Sequence, residues 1–252
     1  MYDIENKVCI VTGSGRGIGR AIAESLSAGG AKVLINVRKH IEEGERVVSE
    51  LGNNGAAELS VADVSTKEGI DKLFDDCLDK LGKPDILVNN AGVGILEPFP
   101  SVSQKSIERM MSTNLYSAIN ASKKFSETAS RGVIINIASL AGVVPFPGLS
   151  IYGITKAGLI SLTHSLALEL SGAGIRANAV APGIVRTEMG EGLLKIMSMD
   201  ENNYAKKYTL SGKIIEPDEV AATVMYLIEN ESMTGQVIEM DSGSMQMVAS
   251  LK

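Results

Sequence analysis

The chain has 252 residues, of which 44% are hydrophobic, and a formal net charge of −6. This length allows a single α/β domain with a large core. The acidic balance, without a concentrated run of Lys or Arg, argues against a nucleic-acid partner or an anionic membrane surface. The two cysteines, Cys9 and Cys77, are too few for a disulfide scaffold, and we expect them to be free thiols in a reducing cytoplasm.

The start of the chain and its most apolar stretch both bear on location. Residues 1–5 carry acidic side chains where a secretory signal would have a basic one, and no apolar core follows. The most apolar stretch, around residues 133–149, is interrupted by Asn136, Ser139 and two prolines, so it does not predict a membrane-spanning helix. We expect one domain over residues 1–252, located in the cytoplasm and without a membrane partner.

Short runs rich in Val, Ile and Leu alternate along the chain with longer segments of helical period. This alternation predicts βαβ units and a mostly parallel sheet. The predicted strands are Lys7–Val11, Lys32–Asn36, Ala57–Val61, Asp85–Val88, Val133–Ala138, Arg176–Val180 and Gln236–Met240. One helical pattern runs from Ser103 toward Phe125 and contains Asn114.

A glycine-rich segment follows the first predicted strand at once and reads Thr-Gly-Ser-Gly-Arg-Gly-Ile-Gly over residues 12–19. Glycine tolerates positive φ and has no side chain, so the backbone and the N-terminus of the following helix can approach a pyrophosphate. A glycine cluster alone often marks only a turn. Its position between a strand and a helix predicts dinucleotide binding.

The end of the second predicted strand bears on the choice of cofactor. In the usual dinucleotide fold, a carboxylate about twenty residues beyond the glycines binds the ribose 2′-hydroxyl. Residues 36–39 read Asn-Val-Arg-Lys instead, and a 2′-phosphate would find Arg38 and Arg16 as partners. The alternative is that both arginines are solvated surface residues. The pattern favours NADP over NAD.

Polar residues follow the third and fourth predicted strands. Asp63 is placed to accept a hydrogen bond from an adenine amino group, or to cap the next helix. Asn89-Asn90-Ala91-Gly92 ends the fourth strand, where ligands of open α/β sheets bind. We therefore expect this turn to lie next to the cofactor.

A candidate reaction centre begins where the fifth predicted strand delivers Ser139. Tyr152 and Lys156 follow in a helical segment at a spacing of four, which places both side chains on one face. A neighbouring cation favours the phenolate and brings a phenol toward acid/base use. The same spacing also arises by chance in many helices, so the pair alone does not identify an active site.

The second half of the chain carries an apolar helical pattern and an irregular segment. The helix after Ser150 stops at Gly172 and has few charges, so we expect another subunit to cover part of its outer face. Residues 184–210 lack a steady period and contain Met189, which favours a substrate lid at about 184–212. With Leu96, this lid is expected to set substrate choice. Neither histidine lies in a pattern with metal-site spacing.

Together these motifs resemble those of the short-chain dehydrogenase/reductase family over nearly the whole chain. Residues 12–19 are similar to its TGxxxGxG motif, residues 89–92 to NNAG, residues 152–156 to YxxxK, and Pro182-Gly183 with Thr187 to its PG motif. The resemblance implies a Rossmann-type doubly wound sheet of seven parallel strands with helices on both faces. The cofactor-binding residues that it implies are Gly13, Ser14, Arg16, Gly17, Ile18, Gly19, Arg38, Asp63, Val64, Asn90, Ala91, Gly92, Tyr152, Lys156, Pro182, Gly183, Ile184 and Thr187.

The resemblance also implies catalytic roles. Tyr152 would be the general acid/base, Lys156 would lower its pKa and hold the nicotinamide ribose, and Ser139 would polarise the substrate oxygen. Asn114 would retain a water in a proton relay. The implied reaction moves a hydride between NADP(H) or NAD(H) and a carbonyl or secondary alcohol, with 3-oxoacyl thioesters and sugars or polyols as candidate substrates.

Two other classes of function stay open at this point. A non-catalytic regulator that binds NAD(P) to sense redox state would need only the glycine-rich half of the chain, and a purely structural subunit would bind no nucleotide. The complete set of Ser139, Tyr152, Lys156 and Asn114 favours an enzyme. Members of the resembled family commonly form homotetramers, so we expect a homo-oligomer, a tetramer or a dimer.

Overall fold

The computed structural model describes residues 1–52 and 57–245. Within these residues, one sheet contains seven strands, each pairing in parallel with its neighbours. The strands are β1 (Val8–Val11), β2 (Lys32–Val37), β3 (Ala57–Val61), β4 (Ile86–Asn89), β5 (Gly132–Ile137), β6 (Ile175–Pro182) and β7 (Val237–Met240). Their order across the sheet is β3-β2-β1-β4-β5-β6-β7, so the direction of winding reverses between β1 and β4.

Helices cover both faces of this sheet. They are α1 (Gly17–Ala28), α2 (Ile41–Leu51), α3 (Lys67–Lys80), α4 (Gln104–Met110), α5 (Ser117–Thr128), α6 (Ser150–Glu169), α7 (Glu188–Ile196), α8 (Glu201–Tyr208) and α9 (Pro217–Glu229). Successive residues of a strand point to opposite faces. Cys9 and Val11 of β1 accordingly pack with α1, α2 and α9, whereas Val8 and Ile10 pack with α3 and α5. The predicted doubly wound fold is confirmed.

The predicted strand bounds differ from the observed ones by no more than two residues. The single helical pattern predicted from Ser103 toward Phe125 is wrong in detail, because a π-helical turn, Met111–Tyr116, separates α4 from α5. Such wide turns often occur at functional sites. This one carries Asn114, whose side chain bonds to the backbone of Val93.

The lid also differs from the prediction of an irregular segment, since it contains α7 and α8. Each helix has an N-cap side chain. Thr187 Oγ1 accepts a hydrogen bond from the Gly190 N–H, and Asp200 Oδ1 accepts one from the Asn203 N–H. These helices have nine and eight residues, about two turns each, which is too short for a clear hydrophobic period.

Both cysteines are free and buried. Burial raises the pKa of the Cys77 thiol to about 12, and it also raises the pKa of Cys9. Across the described residues, no helix combines the length and apolar character needed to cross a membrane. A search of the same residues finds no cluster of three or more His, Cys, Asp or Glu side chains able to hold a metal ion.

Candidate active site

The predicted site residues meet at one edge of the sheet. The glycine-rich loop follows β1, the Asn-Asn-Ala-Gly turn spans the end of β4, Ser139 follows β5, and Pro182-Gly183 ends β6. Because the strands are parallel, their carboxyl ends lie together. The first two segments flank the point where the winding reverses, which is where open α/β sheets bind ligands.

The glycine loop is held rigidly by hydrogen bonds to its neighbours. Asn90 Nδ2 donates to the carbonyls of Thr12 and Gly13 at 2.9 and 3.0 Å. Thr12 Oγ1 accepts from the N–H groups of Asn90 and Ala91, both at 3.0 Å. The Gly13 N–H donates to Asn36 Oδ1 at 3.2 Å. Asn90 and Ala91 therefore act on the loop itself.

Three of the four glycines in the loop have a clear structural reason. Gly13 and Gly17 have positive φ angles of 64° and 57°, which residues with a Cβ rarely adopt. A Cβ at Gly19 would collide with Asn90 Nδ2. Ser14 turns inward, since its hydroxyl donates to the Val11 carbonyl at 2.7 Å. The Ser14 N–H donates to the Asn36 carbonyl at 3.0 Å, so both hydrogen-bond donors of this residue are engaged within the protein.

The remaining loop residues are Arg16 and Ile18. Ile18 packs against the core beneath α1. Arg16 is the N-cap of α1 but makes no side-chain capping bond, so its side chain leaves the first N–H groups of that helix uncapped. The Arg16 guanidinium instead forms an ion pair with Glu188 in the first turn of α7.

Ser139, Tyr152 and Lys156 come together beside the loop, as the sequence predicts. The Ser139 hydroxyl lies close enough to the Tyr152 phenol to act toward a lower pKa of that phenol. Lys156 Nζ lies 5.6 Å from the centroid of the Tyr152 ring and donates to the Ile137 carbonyl at 2.7 Å. The lysine is only 4% exposed. An ammonium, a phenol and an alcohol thus share one buried corner of the sheet edge.

The pKa values in this corner differ from the sequence expectation. Burial raises the pKa of the Tyr152 phenol, and the hydrogen bond with Ser139 offsets only part of that increase. Burial also lowers the pKa of Lys156 to about 8, because the ammonium loses hydration. The sequence predicts a phenol pKa lowered by the cation, whereas in the structure burial raises it.

Asn114 lies next to Lys156, with its side chain fully engaged by the protein. Its amide donates to the Val93 carbonyl at 2.9 Å and to Thr155 Oγ1 at 3.1 Å, and its Oδ1 accepts from the Val93 N–H at 2.8 Å. A Cβ at Gly92 would lie 3.6 Å from both Asn114 Oδ1 and Lys156 Nζ. Sequence reasoning missed Thr155, although it lies inside the Tyr152 to Lys156 segment.

Arg38, Asp63 and Val64 lie beyond the ends of β2 and β3. Arg38 Nη1 is 3.5 Å from Asp63 Oδ2. Burial disfavours the charged form of Asp63, but bonds from Ser65 and the nearby Arg38 bring its pKa below the usual value. Val64 is buried in the core. Asp63 does not cap the next helix, because Thr66 does so by accepting from the Gly69 N–H.

The segment from Pro182 to Thr187 contacts both Ser139 and the glycine loop. Ser139 Oγ donates to the Pro182 carbonyl at 3.4 Å, and the Gly183 N–H donates to the Met240 carbonyl at 2.7 Å. The Ile184 carbonyl accepts from the Ile215 N–H at 3.1 Å. A Cβ at Gly17 would lie 3.3 Å from the Thr187 methyl. The predicted residues of this segment therefore line the same edge of the sheet.

A doubly wound parallel sheet with such a loop at its reversal point, and a Ser-Tyr-Lys set beside it, defines a dinucleotide-dependent oxidoreductase. A family model described as short chain dehydrogenase matches residues 7–196. L-2,3-butanediol dehydrogenase of Corynebacterium glutamicum is 36% identical and aligns over 94% of this chain and 98% of its own length. A 3-oxoacyl-acyl-carrier-protein reductase of Synechocystis is 33% identical over 96% and 98%.

A solved structure agrees closely with this fold. The short-chain dehydrogenase from Burkholderia cenocepacia, crystallised in complex with NADP, superposes with a TM-score of 0.89 at 29% identity, covering 96% of this chain and 99% of that one. The chain therefore belongs to the short-chain dehydrogenase/reductase family. It is an NAD(P)-dependent oxidoreductase that acts on carbonyl or alcohol groups. The relatives give no support to a non-catalytic regulator.

Proposed function

We propose that this enzyme reduces a ketone, or oxidises the matching secondary alcohol, with Ser139, Tyr152, Lys156 and Asn114 as its catalytic residues. The observation that supports this most is the placement of the Ser139 hydroxyl and the Tyr152 phenol beside the Lys156 ammonium, whose Nζ lies 5.6 Å from the centroid of the Tyr152 ring. These three groups can surround one substrate oxygen with two hydroxyls and a nearby positive charge. That is the arrangement needed where negative charge develops on a carbonyl oxygen.

The glycine loop fits a dinucleotide. The first N–H groups of α1 have no side-chain cap, and unsatisfied donors at a helix N-terminus suit a pyrophosphate. We assign pyrophosphate contacts to the backbone N–H groups of residues 15–19, because the N–H groups of Gly13 and Ser14 already donate to Asn36. We assign the nicotinamide end to Asn90, Ala91, Gly92 and the segment from Pro182 through Gly183 and Ile184 to Thr187.

When bound, the cofactor supplies or accepts the hydride at the substrate carbon. The Tyr152 hydroxyl gives its proton to the carbonyl oxygen during reduction and takes a proton back during oxidation. Ser139 holds the same oxygen through its hydroxyl and stabilises the charge that develops there. The bond between Ser139 Oγ and the Ala141 N–H, at 3.2 Å, fixes the orientation of that hydroxyl.

Lys156 supports the phenolate as the Tyr152 proton leaves. With a pKa of about 8, the lysine is mostly charged at neutral pH. Its bond to the Ile137 carbonyl keeps that charge beside the phenol ring. We propose that Asn114, whose amide group donates to Val93 and Thr155, holds a relay water beside Lys156. The test is the carbonyl-dependent oxidation of reduced nicotinamide, and its loss in Tyr152→Phe.

We further propose that NADP is preferred to NAD. β2 ends at Val37, a buried apolar residue, where dinucleotide folds that bind NAD place a carboxylate for the ribose 2′-hydroxyl. Arg38 and Arg16 are about half exposed, and their present partners are the carboxylates of Asp63 and Glu188. Exposed ion pairs of this kind contribute only about 0.2–1 kcal/mol, so a 2′-phosphate can take over either arginine.

Arg38→Gln is expected to weaken NADP binding by roughly tenfold or more and to change NAD binding little. The variant removes one charge-assisted bond to phosphate without adding a carboxylate beside Asp63. The dissociation constants of both cofactors can be measured by calorimetry. Arg46→Gln, which removes an exposed cation from α2, is the charge-matched control. An equal loss for NADP and NAD in Arg38→Gln would contradict this assignment.

We propose that the enzyme is a homo-oligomer, a tetramer or a dimer, associated through the outer face of α6. This face exposes Ile154 at 54% and Leu168 at 79%. The neighbouring Tyr116 and Ile119 are also exposed, at 51% and 38%. Apolar side chains grouped in this way mark a contact surface.

Leu168→Glu is expected to lower the mass of the particle in solution, because a carboxylate in an apolar contact loses its hydration without gaining a partner. Light scattering after size-exclusion chromatography measures the mass. Ile196→Glu is the control, since Ile196 is 61% exposed on a different helix, α7. A parent protein that is already monomeric, or an unchanged mass in Leu168→Glu, would rule out this surface.

We also propose a cytoplasmic location, because Cys9 and Cys77 are free thiols and a reducing compartment keeps them so. The partner is a small carbonyl or alcohol substrate. A net charge of −6 does not favour a nucleic-acid partner.

A further inference from the structure

One ion pair joins the lid to the glycine loop. Glu188, the first residue of α7, places its carboxylate against the guanidinium of Arg16. The two segments also touch beside this pair, because a Cβ at Gly17 would lie 3.3 Å from the Thr187 methyl. Both charged side chains are open to solvent, since that of Arg16 is 56% exposed and that of Glu188 is 73% exposed. A ligand that arrives at the glycine loop can therefore reach the guanidinium.

Arg16 lies at the N-terminus of α1, where the phosphates of a dinucleotide are expected. It is the N-cap residue of that helix, and its side chain makes no capping bond. The uncapped N–H groups and the helix dipole attract an anion to this point. A guanidinium can bind a phosphate through two parallel hydrogen bonds, and a phosphate monoester carries about 1.5 to 2 negative charges against the single charge of Glu188. Glu188 and a cofactor phosphate thus compete for one guanidinium.

Other contacts hold the lid without involving Arg16. Arg186 Nε lies 3.0 Å from Glu216 Oε1 at the start of α9, and the same guanidinium pairs with Glu201 in the first turn of α8. These ion pairs remain when Arg16 turns to a phosphate. Loss of the pair between Arg16 and Glu188 therefore frees two side chains and leaves the lid in place.

We infer that Glu188 is a specificity-determining residue for the cofactor. Its carboxylate holds Arg16 in the free enzyme, and the 2′-phosphate of NADP must displace it, whereas NAD has no phosphate at that position. Glu188 accordingly weakens the binding of NADP more than the binding of NAD, and so limits how strongly NADP is preferred. This inference rests on the proposed binding of the 2′-phosphate by Arg16.

The size of the effect follows from the strength of an exposed ion pair. Such a pair holds its two partners together about 60–85% of the time. Only the remaining molecules offer a free Arg16 to the phosphate, and the apparent dissociation constant rises in inverse proportion to that fraction. We therefore expect Glu188→Gln to lower the dissociation constant of NADP about two- to sixfold and to change that of NAD less than about 1.5-fold.

The experiment is a double-mutant cycle on cofactor binding, measured by calorimetry in a phosphate-free buffer of constant ionic strength. It compares the parent, Glu188→Gln, Arg16→Gln and the double variant, each with NADP and with NAD. In the Arg16→Gln background, Glu188→Gln is expected to change neither dissociation constant, because the guanidinium is absent. Glu191→Gln is the charge-matched control, since Glu191 is a second exposed acid in the first turn of α7, and it should keep the parent ratio of the two constants. Melting temperatures confirm that each variant folds.

Several results contradict this inference. An unchanged NADP affinity in Glu188→Gln, or a change that is equal for NAD or reproduced by Glu191→Gln, removes the competition. Weaker NADP binding in Glu188→Gln would mean that Glu188 orients Arg16 for the phosphate. A gain that persists in the Arg16→Gln background would show that Glu188 does not act through Arg16. A parent that binds neither cofactor removes the proposed function as well, whereas a parent that binds NADP but turns over no carbonyl or alcohol removes the proposed function alone.

Discussion

Tyr152→Phe is expected to lower kcat by roughly 10²- to 10⁴-fold, the usual contribution of a positioned general acid or base. The substitution removes one hydroxyl and keeps the ring, so packing around α6 is preserved. Ser139 is not left unsatisfied, because its Oγ still contacts the Pro182 carbonyl and the Ala141 N–H. The loss should therefore be chemical rather than structural.

The measurement is carbonyl-dependent oxidation of reduced nicotinamide, together with cofactor affinity by thermal shift. Cofactor affinity should stay close to that of the parent. Tyr226→Phe is the control, since it deletes a half-exposed hydroxyl of α9 that accepts a bond from Asn230. Parent turnover in Tyr152→Phe with any accepted ketone would disprove the assignment of Tyr152 as the proton donor.

Much of the fold could be predicted from the sequence because parallel strands buried on both faces read as short apolar runs. All four residues of β1 are buried, and the glycine loop follows it at once. The π-helical turn was not predictable in the same way. It is accompanied by hydrogen bonds between Asn114 and Val93, 21 residues apart, and a local pattern contains no information about that contact.

The lid shows a different limit. Thr187 and Asp200 are both residues that favour N-caps, so the starts of α7 and α8 had a signal in the sequence. Helices of about two turns give too few apolar positions to establish a period, and the signal was therefore insufficient.

In the candidate site, too, features set by local geometry could be predicted from the sequence, whereas features set by distant contacts could not. The spacing of Tyr152 and Lys156 on one helix predicts that they share a face, because this depends only on helix geometry. The direction of the Tyr152 pKa depends on burial, which comes from elements distant in sequence. The ion pair of Arg16 with Glu188 and the contact of Gly94 with Met189 likewise join residues far apart along the chain.

Gly153→Ala is expected to lower kcat by about a hundredfold through the position of Ser139. A Cβ at Gly153 would lie 2.6 Å from the Ala141 carbonyl oxygen, so the turn Leu140–Gly142 must move away from α6. The Ala141 N–H donates to Ser139 Oγ, and that hydroxyl lies near the Tyr152 phenol. Displacing the turn therefore moves the Ser139 hydroxyl away from the Tyr152 phenol, the two groups that we propose as catalytic.

In Gly153→Ala the free energy of unfolding should stay near the parent value while kcat falls. This difference distinguishes a displaced Ser139 from a protein that has lost its fold. Alanine is favoured over glycine in a helix interior by about 1 kcal/mol, which offsets part of the strain from the contact with Ala141. Urea unfolding and cofactor affinity should stay near parent values while kcat falls more than KM changes. Gly172→Ala is the matched control, because no atom lies within 4 Å of a Cβ there, so its kinetics should be unchanged. Parent kcat in Gly153→Ala would show that the Ser139 turn tolerates displacement, and that close packing of this turn on α6 is not what aligns the two hydroxyls.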